Sequence, residues 1–148
     1  MLNRTEASFT FTHHVRDHCL CLHAQRTARA VARRFDEALR PLDLTNGQFS
    51  LLISLNRPEP AAMAPVARLL GMDRTTLTAA LKPLQRRGLV EMEVDAGDRR
   101  SRLLKLTRAG RALLKKAVPV WERTHAVIDR ALTGHEPDGL RGALRSLS

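Results

Sequence analysis

The longest apolar stretch is about the length of FSLLISL, residues 49–55. A bilayer crossing needs about 20 mostly apolar residues, so no transmembrane helix is expected, and no signal-peptide pattern opens the chain. Cysteine occurs only twice, at Cys19 and Cys21. So close together, the two cannot staple a fold, and the expected home is a reducing cytoplasm. There is no Gly-rich phosphate cradle and no metalloprotease helix motif. The glutamates of EMEV lie on a strand face without a pocket signature. The chain therefore reads as a non-enzyme and implies no cofactor. No internal repeat or low-complexity tract interrupts it. Negative charge is also scarce: 15 Asp and Glu stand against 25 Lys and Arg, a formal charge of +10. That excess says nothing about fold, but it favours an acidic partner, nucleic acid ahead of an anionic membrane surface. An apolar content of 43% argues for a folded protein rather than a basic tail, and 148 residues suit one domain with a modest core.

What is present is mostly helical periodicity. The polar start MLNRTEASFTFTHH, residues 1–14, is expected to be loose. From about His14 to Leu39 one long helix is expected, with no internal Gly or Pro and with Pro41 just beyond. Val15, Leu22, Val31, Phe35 and Leu39 form its apolar stripe. Thr45 and Gln48 fit a capping box for a second helix, which NRPEP stops. A short helix from about Met63 to Leu70 ends at Gly71, and the next runs from Asp73 to Arg87 before Gly88. Pro83, inside it, should bend or loosen its last turn. The period then changes to two. Val90, Met92 and Val94 alternate with glutamates, and Leu104 and Leu106 share a face, which reads as a hairpin. Thr107 caps a long helix to about Leu132, striped by Leu113, Ala117, Val120, Trp121, Thr124, Val127, Ile128 and Ala131, with Pro119 as a kink. A last amphipathic helix carries Leu140, Leu144 and Leu147.

The stretch MAPVARLLGMDRTTLTAALKPLQRRG carries the first functional signal. A helix-turn-helix needs a small residue where its helices meet, a turn residue free to take positive φ, and an apolar anchor on the second helix. Ala67, Gly71 and Leu77 supply these. Arg74, Thr75, Thr76 and Thr78 cluster at the start of the second helix, with Lys82 a turn beyond. Arginine can reach guanine O6 and N7 in the major groove, and threonine offers a hydroxyl to bases or phosphates and a methyl to thymine. A solvated helix face is the alternative; it explains the charges better than three threonines, which are mediocre helix formers.

The hairpin tip DAGDRRS adds three arginines within four residues, Arg99, Arg100 and Arg102. A helix-turn-helix followed at once by a hairpin is a winged helix. With the helix in the major groove, the tip lies over the flanking backbone and minor groove, whose negative potential rewards an inserted arginine. In an extended segment Asp98 and Arg100 point the same way, so Asp98 is expected to hold the Arg100 guanidinium in a bidentate pair. Arg99 and Arg102 would then serve phosphates. A solubilising turn with a weak surface ion pair is the alternative.

In LTNGQF, RLLGMDRTTLTAALKPLQRRGLV and DAGDRRSRLLKLTRAG the sequence resembles the MarR-type winged-helix transcriptional regulators, from about Cys19 to Leu132. The resemblance implies a mainly α fold with a small β-hairpin wing, dimerised through its N- and C-terminal helices. It implies one domain over 1–148, with the DNA-binding lobe at about 44–107 and dimerisation helices at about 13–40 and 108–148. It implies an obligate homodimer on a pseudopalindromic double-stranded operator, usually a repressor. It places recognition-helix contacts on Arg74, Thr75, Thr76, Thr78 and Lys82, and the wing-tip pair on Asp98 and Arg100. Many members of the family release DNA when a phenolic or aromatic carboxylate binds between the dimer region and the DNA lobe.

One branch of that family senses organic hydroperoxides through a cysteine near the start of its first helix, and Cys21 falls close to that position. The branch uses tyrosines to hold the reactive sulfur, and this chain has none. A thiolate here would need another cation, such as His18; a buried inert cysteine is the alternative. His14, His18, Cys21 and Gln25 step by four, three and four residues, so in one continuous helix a single face carries them all. That face is expected to border an effector crevice, with His18 and Gln25 donating to a small aromatic acid or its thioester. No second cluster completes a metal site, so no metal is expected. A redox regulator using Cys21 and a non-specific basic nucleic-acid-binding protein are the competing readings.

Overall fold

A computed structural model describes residues 8–148. Residues 1–7 of the expected loose N-terminus lie outside the described residues. The rest of that segment is helical: Ser8 caps α1 (Phe9–His18), its hydroxyl accepting the Phe11 N–H. The single long helix is also corrected. It is two, α1 and α2 (Leu20–Leu39), parted at Cys19, whose backbone is extended (φ −73, ψ 106). The absence of Gly and Pro suggested continuity, but a side-chain cap suffices to restart a helix. The Cys19 sulfur accepts the Leu22 N–H at 3.5 Å and satisfies one of the donors a helix start leaves open.

After a 3-10 turn at Arg40–Leu42, Asp43 adopts a left-handed conformation (φ 53). The Arg87 guanidinium donates to the Asp43 carbonyl at 2.6 Å and so ties this turn to the far end of the helix-turn-helix. The capping box forms as expected: Thr45 Oγ1 accepts the Gln48 N–H, and Gln48 Oε1 accepts the Thr45 N–H, at the start of α3 (Asn46–Ser54).

A two-residue strand, β1 (Ala61–Ala62), leads into α4 (Met63–Leu70). Gly71 ends α4 with φ 63, the positive φ the sequence asked of it. Asp73 caps α5 (Arg74–Arg86), which runs on through Pro83. The hairpin is β2 (Val90–Val94) and β3 (Arg102–Leu106), with Val90 opposite Leu106 and Met92 opposite Leu104. β1 adds to the other edge of β3, giving the antiparallel order β1-β3-β2. Alternation holds less well than expected along β2: Val94 is exposed, and Glu93 is half-buried beside Lys105.

Thr107 caps α6 (Arg108–Ala131), and α7 (Pro137–Arg145) folds back beside its end. The core lies where the end of α2, α3, α4, α5, the sheet and the first half of α6 meet. Phe35, Leu39, Leu52, Leu77, Leu81, Leu84, Leu104 and Leu114 are fully or almost fully buried there. Leu114 and Gly110 were outside the expected α6 stripe, yet both face the core. By contrast α1 and α7 bury no residue, and Phe9, Phe11, Leu20, Val127, Leu140, Leu144 and Leu147 are exposed.

Candidate nucleic-acid interface

The start of α5 is built by its cap. Asp73 Oδ1 accepts the Thr76 N–H at 2.7 Å, and that bond holds the Asp73 carboxyl below the usual carboxylate range. Leu77, Leu81 and Leu84 turn inward and are fully buried. The opposite side therefore presents Arg74, Thr75, Thr76, Thr78 and Lys82, all exposed. The Thr78 hydroxyl donates to the Arg74 carbonyl at 2.8 Å, so it meets any partner only as an acceptor.

The wing tip is a pair of Asx-type turns rather than an extended strand. Asp95 Oδ1 accepts the Gly97 N–H at 2.9 Å, and Asp98 Oδ1 accepts the Arg100 backbone N–H at 3.0 Å. The Asp98 carbonyl accepts the Ser101 N–H at 2.8 Å. The expected bidentate pair between Asp98 and the Arg100 guanidinium is thus corrected. The chain turns at Arg99 and Arg100, and the carboxylate fixes the backbone instead. Arg102 also differs: its guanidinium donates to the carbonyls of Arg99 (3.0 Å) and Ser101 (3.2 Å) and braces the tip. Arg74, Arg99 and Arg100 form no ion pair among the described residues.

Recognition helix and wing converge. A cleft of about 520 Å³ is lined by Arg74 from α5, by Asp98, Arg100 and Arg102 from the wing, and by Arg68 and Met72 from the helix-turn-helix. Arg99 is not part of it. Sequence reasoning missed Arg68; its place in the last turn before Gly71 was the available signal. The wing is braced at its base. Thr107 Oγ1 donates to the Gly88 carbonyl at 2.6 Å and accepts the Gly110 N–H at 3.0 Å. Lys105 on β3 reaches both Glu93 and Glu91 on β2, at 2.9 and 3.5 Å.

The expected effector face is divided. His14 and His18 stand on α1 with rings stacked at 4.2 Å, while Cys21 and Gln25 stand on α2, beyond the break at Cys19. Gln25 Nε2 donates to the Cys21 sulfur at 3.2 Å. His18 Nδ1 is occupied by the His14 carbonyl at 2.9 Å. One continuous face of four residues therefore does not exist, because the extended Cys19 resets the helical phase between the two pairs.

A family model described as the MarR family matches residues 42–101. The transcriptional regulator MosR of M. tuberculosis, solved in complex with DNA, is 38% identical with a TM-score of 0.79, over 87% of this chain and 92% of that one. The chain belongs to the MarR family. CouR bound to a 23-mer DNA duplex is similar at 30% identity and a TM-score of 0.77, over 86% of this chain and 91% of that one. CouR from Rhodococcus jostii RHA1 bound to p-coumaroyl-CoA gives 27% and 0.66, over 83% and 84%. A MarR mutant from E. coli complexed with operator DNA gives 26% and 0.79, over 90% and 96%. This MarR-family chain is a transcriptional regulator, not an enzyme, with a winged helix whose wing is a small antiparallel sheet. No helix among its described residues is long and apolar enough to cross a membrane.

Proposed function

We propose that this regulator is a cytoplasmic homodimer that represses by occupying a pseudopalindromic operator. The observation that carries the reading is the shared cleft of Arg74 on α5 with Asp98, Arg100 and Arg102 on the wing. A helix start and a wing facing one space suit a duplex that passes from major to minor groove. In this reading the lobe at about 44–107 holds DNA. Arg74, Thr75, Thr76, Thr78 and Lys82 address the major groove. Arg100 enters the minor groove, its backbone set by Asp98, while Arg99 and Arg102 meet phosphates. The helices at about 13–40 and 108–148 join the two copies through the apolar residues that α1, the end of α6 and α7 leave exposed.

Selection of bound duplexes from a random pool tests this. The wild type is expected to return an inverted repeat. Arg74→Ala is expected to relax one position in each half, because a good bidentate base contact contributes about 1–3 kcal/mol of discrimination. A pool without any consensus would make the chain a non-specific basic binder.

The signal in this reading is a small aromatic acid or its thioester, the class of ligand CouR is solved with. Its place is the α1–α2 joint, with His14 and His18 on one side of the break at Cys19 and Cys21 and Gln25 on the other. A second reading makes Cys21 the sensor, favoured by the exposure of that thiol and by its hydrogen bond from Gln25. Cys21→Ser separates them. If oxidation is the signal, mild peroxide empties the operator of wild type and not of the mutant; if a ligand is the signal, p-coumarate or its thioester releases both.

A further inference from the structure

Two adjacent arginines end the recognition helix α5, and they do different things. The Arg86 side chain donates within its own helix, to the Lys82 carbonyl at 3.4 Å. The Arg87 side chain leaves α5 and donates to the Asp43 carbonyl at 2.6 Å, 44 residues away in sequence. The Arg87 side chain is 30% exposed, whereas the Asp43 carboxylate, 3.6 Å from it, belongs to a side chain 93% exposed. The carboxylate is therefore a weak surface partner, and the charge-assisted bond to the carbonyl carries the contact. Asp43 holds a left-handed backbone (φ 53), which a short polar side chain tolerates, and that backbone sets the direction of its carbonyl.

The turn that receives Arg87 is the passage from α2 to the DNA-binding lobe. α2 ends at Leu39, the 3-10 turn carries Pro41, and Thr45 already caps α3. A second bond crosses the same passage: Asp36 Oδ1 on α2 accepts the Asn46 N–H at the start of α3, at 2.7 Å. The end of α2 is thus tied to α3 by Asp36 and to the end of α5 by way of Arg87. Pro83 gives the second tie more weight. It has no N–H to offer the Ala79 carbonyl, so the last turn of α5 is held by fewer bonds of its own. Arg87 stands at one end of a helix of 13 residues, and Arg74, which lines the wing cleft, stands at the other. Such a helix is about 20 Å long, so a rotation of about 10° about the anchored end would carry Arg74 by about 3.5 Å. That is the rise of about one base pair, roughly 3.4 Å.

Two other roles can be weighed. A phosphate contact is disfavoured, because the Arg87 guanidinium is already engaged and lies a full helix length from Arg74. A clamp that serves stability alone does not need this partner. Leu77, Leu81 and Leu84 already bury α5 in its lobe, whereas Arg87 reaches the turn that joins the lobe to α2.

We propose that Arg87 is a positioning residue for operator binding: through the Asp43 carbonyl it fixes the angle between α2 and the DNA-binding lobe, and with it the distance between half-sites that the dimer accepts. This rests on the reading of a homodimer on an inverted repeat, and it adds which residue sets the spacing.

The test measures the affinity of the full-length protein for its selected operator, for duplexes with one base pair added or removed between the halves, and for a single half-site. Wild type should prefer one spacing. Arg87→Gln should lose about three- to tenfold at that spacing, the worth of one ordinary hydrogen bond. It should lose less on the altered spacings and hold the single half-site within about twofold of wild type. Arg87→Lys keeps a charged donor and should recover part of the preference; should Arg87→Gln not fold, Arg87→Lys carries the same comparison with a smaller effect. Asp43→Gly keeps the carbonyl and allows the same φ, so it should match wild type; a glycine variant that falls with Arg87→Gln would overturn the carbonyl as the partner. An Arg87→Gln profile parallel to that of wild type overturns the positioning role and leaves the operator reading intact. An equal loss on operator and half-site, with a shallower salt dependence, would make Arg87 a phosphate contact and likewise overturn it. A second measurement does not need two half-sites. Spin labels at Ala28→Cys on α2 and Ala79→Cys on α5, both exposed positions, report the angle within one copy when placed in a Cys19→Ser/Cys21→Ser background and diluted with unlabelled chain. Their distance distribution should broaden in Arg87→Gln and not in Asp43→Gly. Broadening in a protein whose wild type shows no spacing preference keeps Arg87 as the anchor of the lobe and removes the inverted-repeat reading. An unchanged distribution removes the positioning role whatever the DNA shows.

Discussion

The carboxylate of Asp98 accepts the backbone N–H of Arg100 at 3.0 Å. It therefore shapes the wing tip as an acceptor rather than as a counter-ion. Asp98→Asn keeps an acceptor oxygen and should keep most operator affinity, whereas Asp98→Ala should lose about three- to tenfold, the worth of one ordinary hydrogen bond. A fluorescence-anisotropy titration in which the Asn and Ala variants fall equally would restore the charge pair and remove this account. In the same assay Arg100→Ala should cost more than Arg99→Ala, since only Arg100 shares the cleft with Arg74.

Gly110 is required by a close approach. A Cβ placed there would collide with the backbone carbonyl of Leu89, with the Leu106 side chain packed beside it. The start of α6 could then no longer lie against the base of the hairpin, where Thr107 spans Gly88 and Gly110. Gly110→Ala should destabilise the fold by about 1–3 kcal/mol, the usual range for overpacking, and lower the melting temperature visibly. Gly139→Ala, where the nearest atom is at 3.8 Å, should be neutral or slightly stabilising. Equal melting curves for the two variants would contradict the geometry.

Much of this was legible in the sequence, and the failures have separate causes. Thr45 with Gln48, Gly71, Asp73 and Thr107 are short-range devices: each acts on a neighbour three or four residues away, so spacing alone reveals it. The Cys19 break is equally local but was hidden, because a sulfur cap has no proline or glycine to announce it. The geometry of Asp98 was misread for another reason. The residues were right, but side-chain direction depends on whether the chain turns, and i to i+2 spacing fits an Asx turn as well as an extended pair. Gly110, β1 and the Arg87–Asp43 contact depend on segments distant in sequence, or on a strand too short to show a period. For the interface this means that the identities of the exposed recognition-helix and wing residues could be read, while the cleft that joins them could not.

The unpartnered helices make a prediction about assembly. Leu140 and Leu144 lie exposed on α7, and Val127 lies exposed on α6. If they meet a second copy, Leu140→Glu/Leu144→Glu should yield monomer by light scattering and lose most operator affinity, because two half-sites no longer bind as one. The winged-helix lobe has its own core and should keep its helical circular dichroism. A wild type that is already monomeric, or a double variant that remains dimeric, would remove these leucines from the interface.

How α7 is held in place supplies the last prediction. Arg141 donates to Asp129 on α6, and to Asp138 at 2.7 Å, while His125 lies 3.4 Å from the same Asp129 oxygen. The Arg141 hydrogen bond keeps the Asp129 carboxyl below the usual carboxylate range. A carboxyl whose folded pKa is depressed stabilises the fold above its unfolded value of about 3.9, and the contribution is lost as pH falls through the lower folded value. The contribution of the Asp129–Arg141 pair to the attachment of α7 should therefore persist from neutral pH down to about 4 and be lost only below it. Trp121 is the chain's one tryptophan, 4.7 Å from the His125 ring, so its emission reports on this corner directly. In wild type the emission should change along an acid limb below about pH 4. In Asp129→Asn that component should already be displaced at pH 7, and the acid limb should shrink. If Leu140 and Leu144 on α7 join two copies, the dimer should weaken over the same range. Superimposable acid limbs for wild type and Asp129→Asn would mean that the Asp129–Arg141 pair does not hold the helix, and that its position rests on apolar contacts alone.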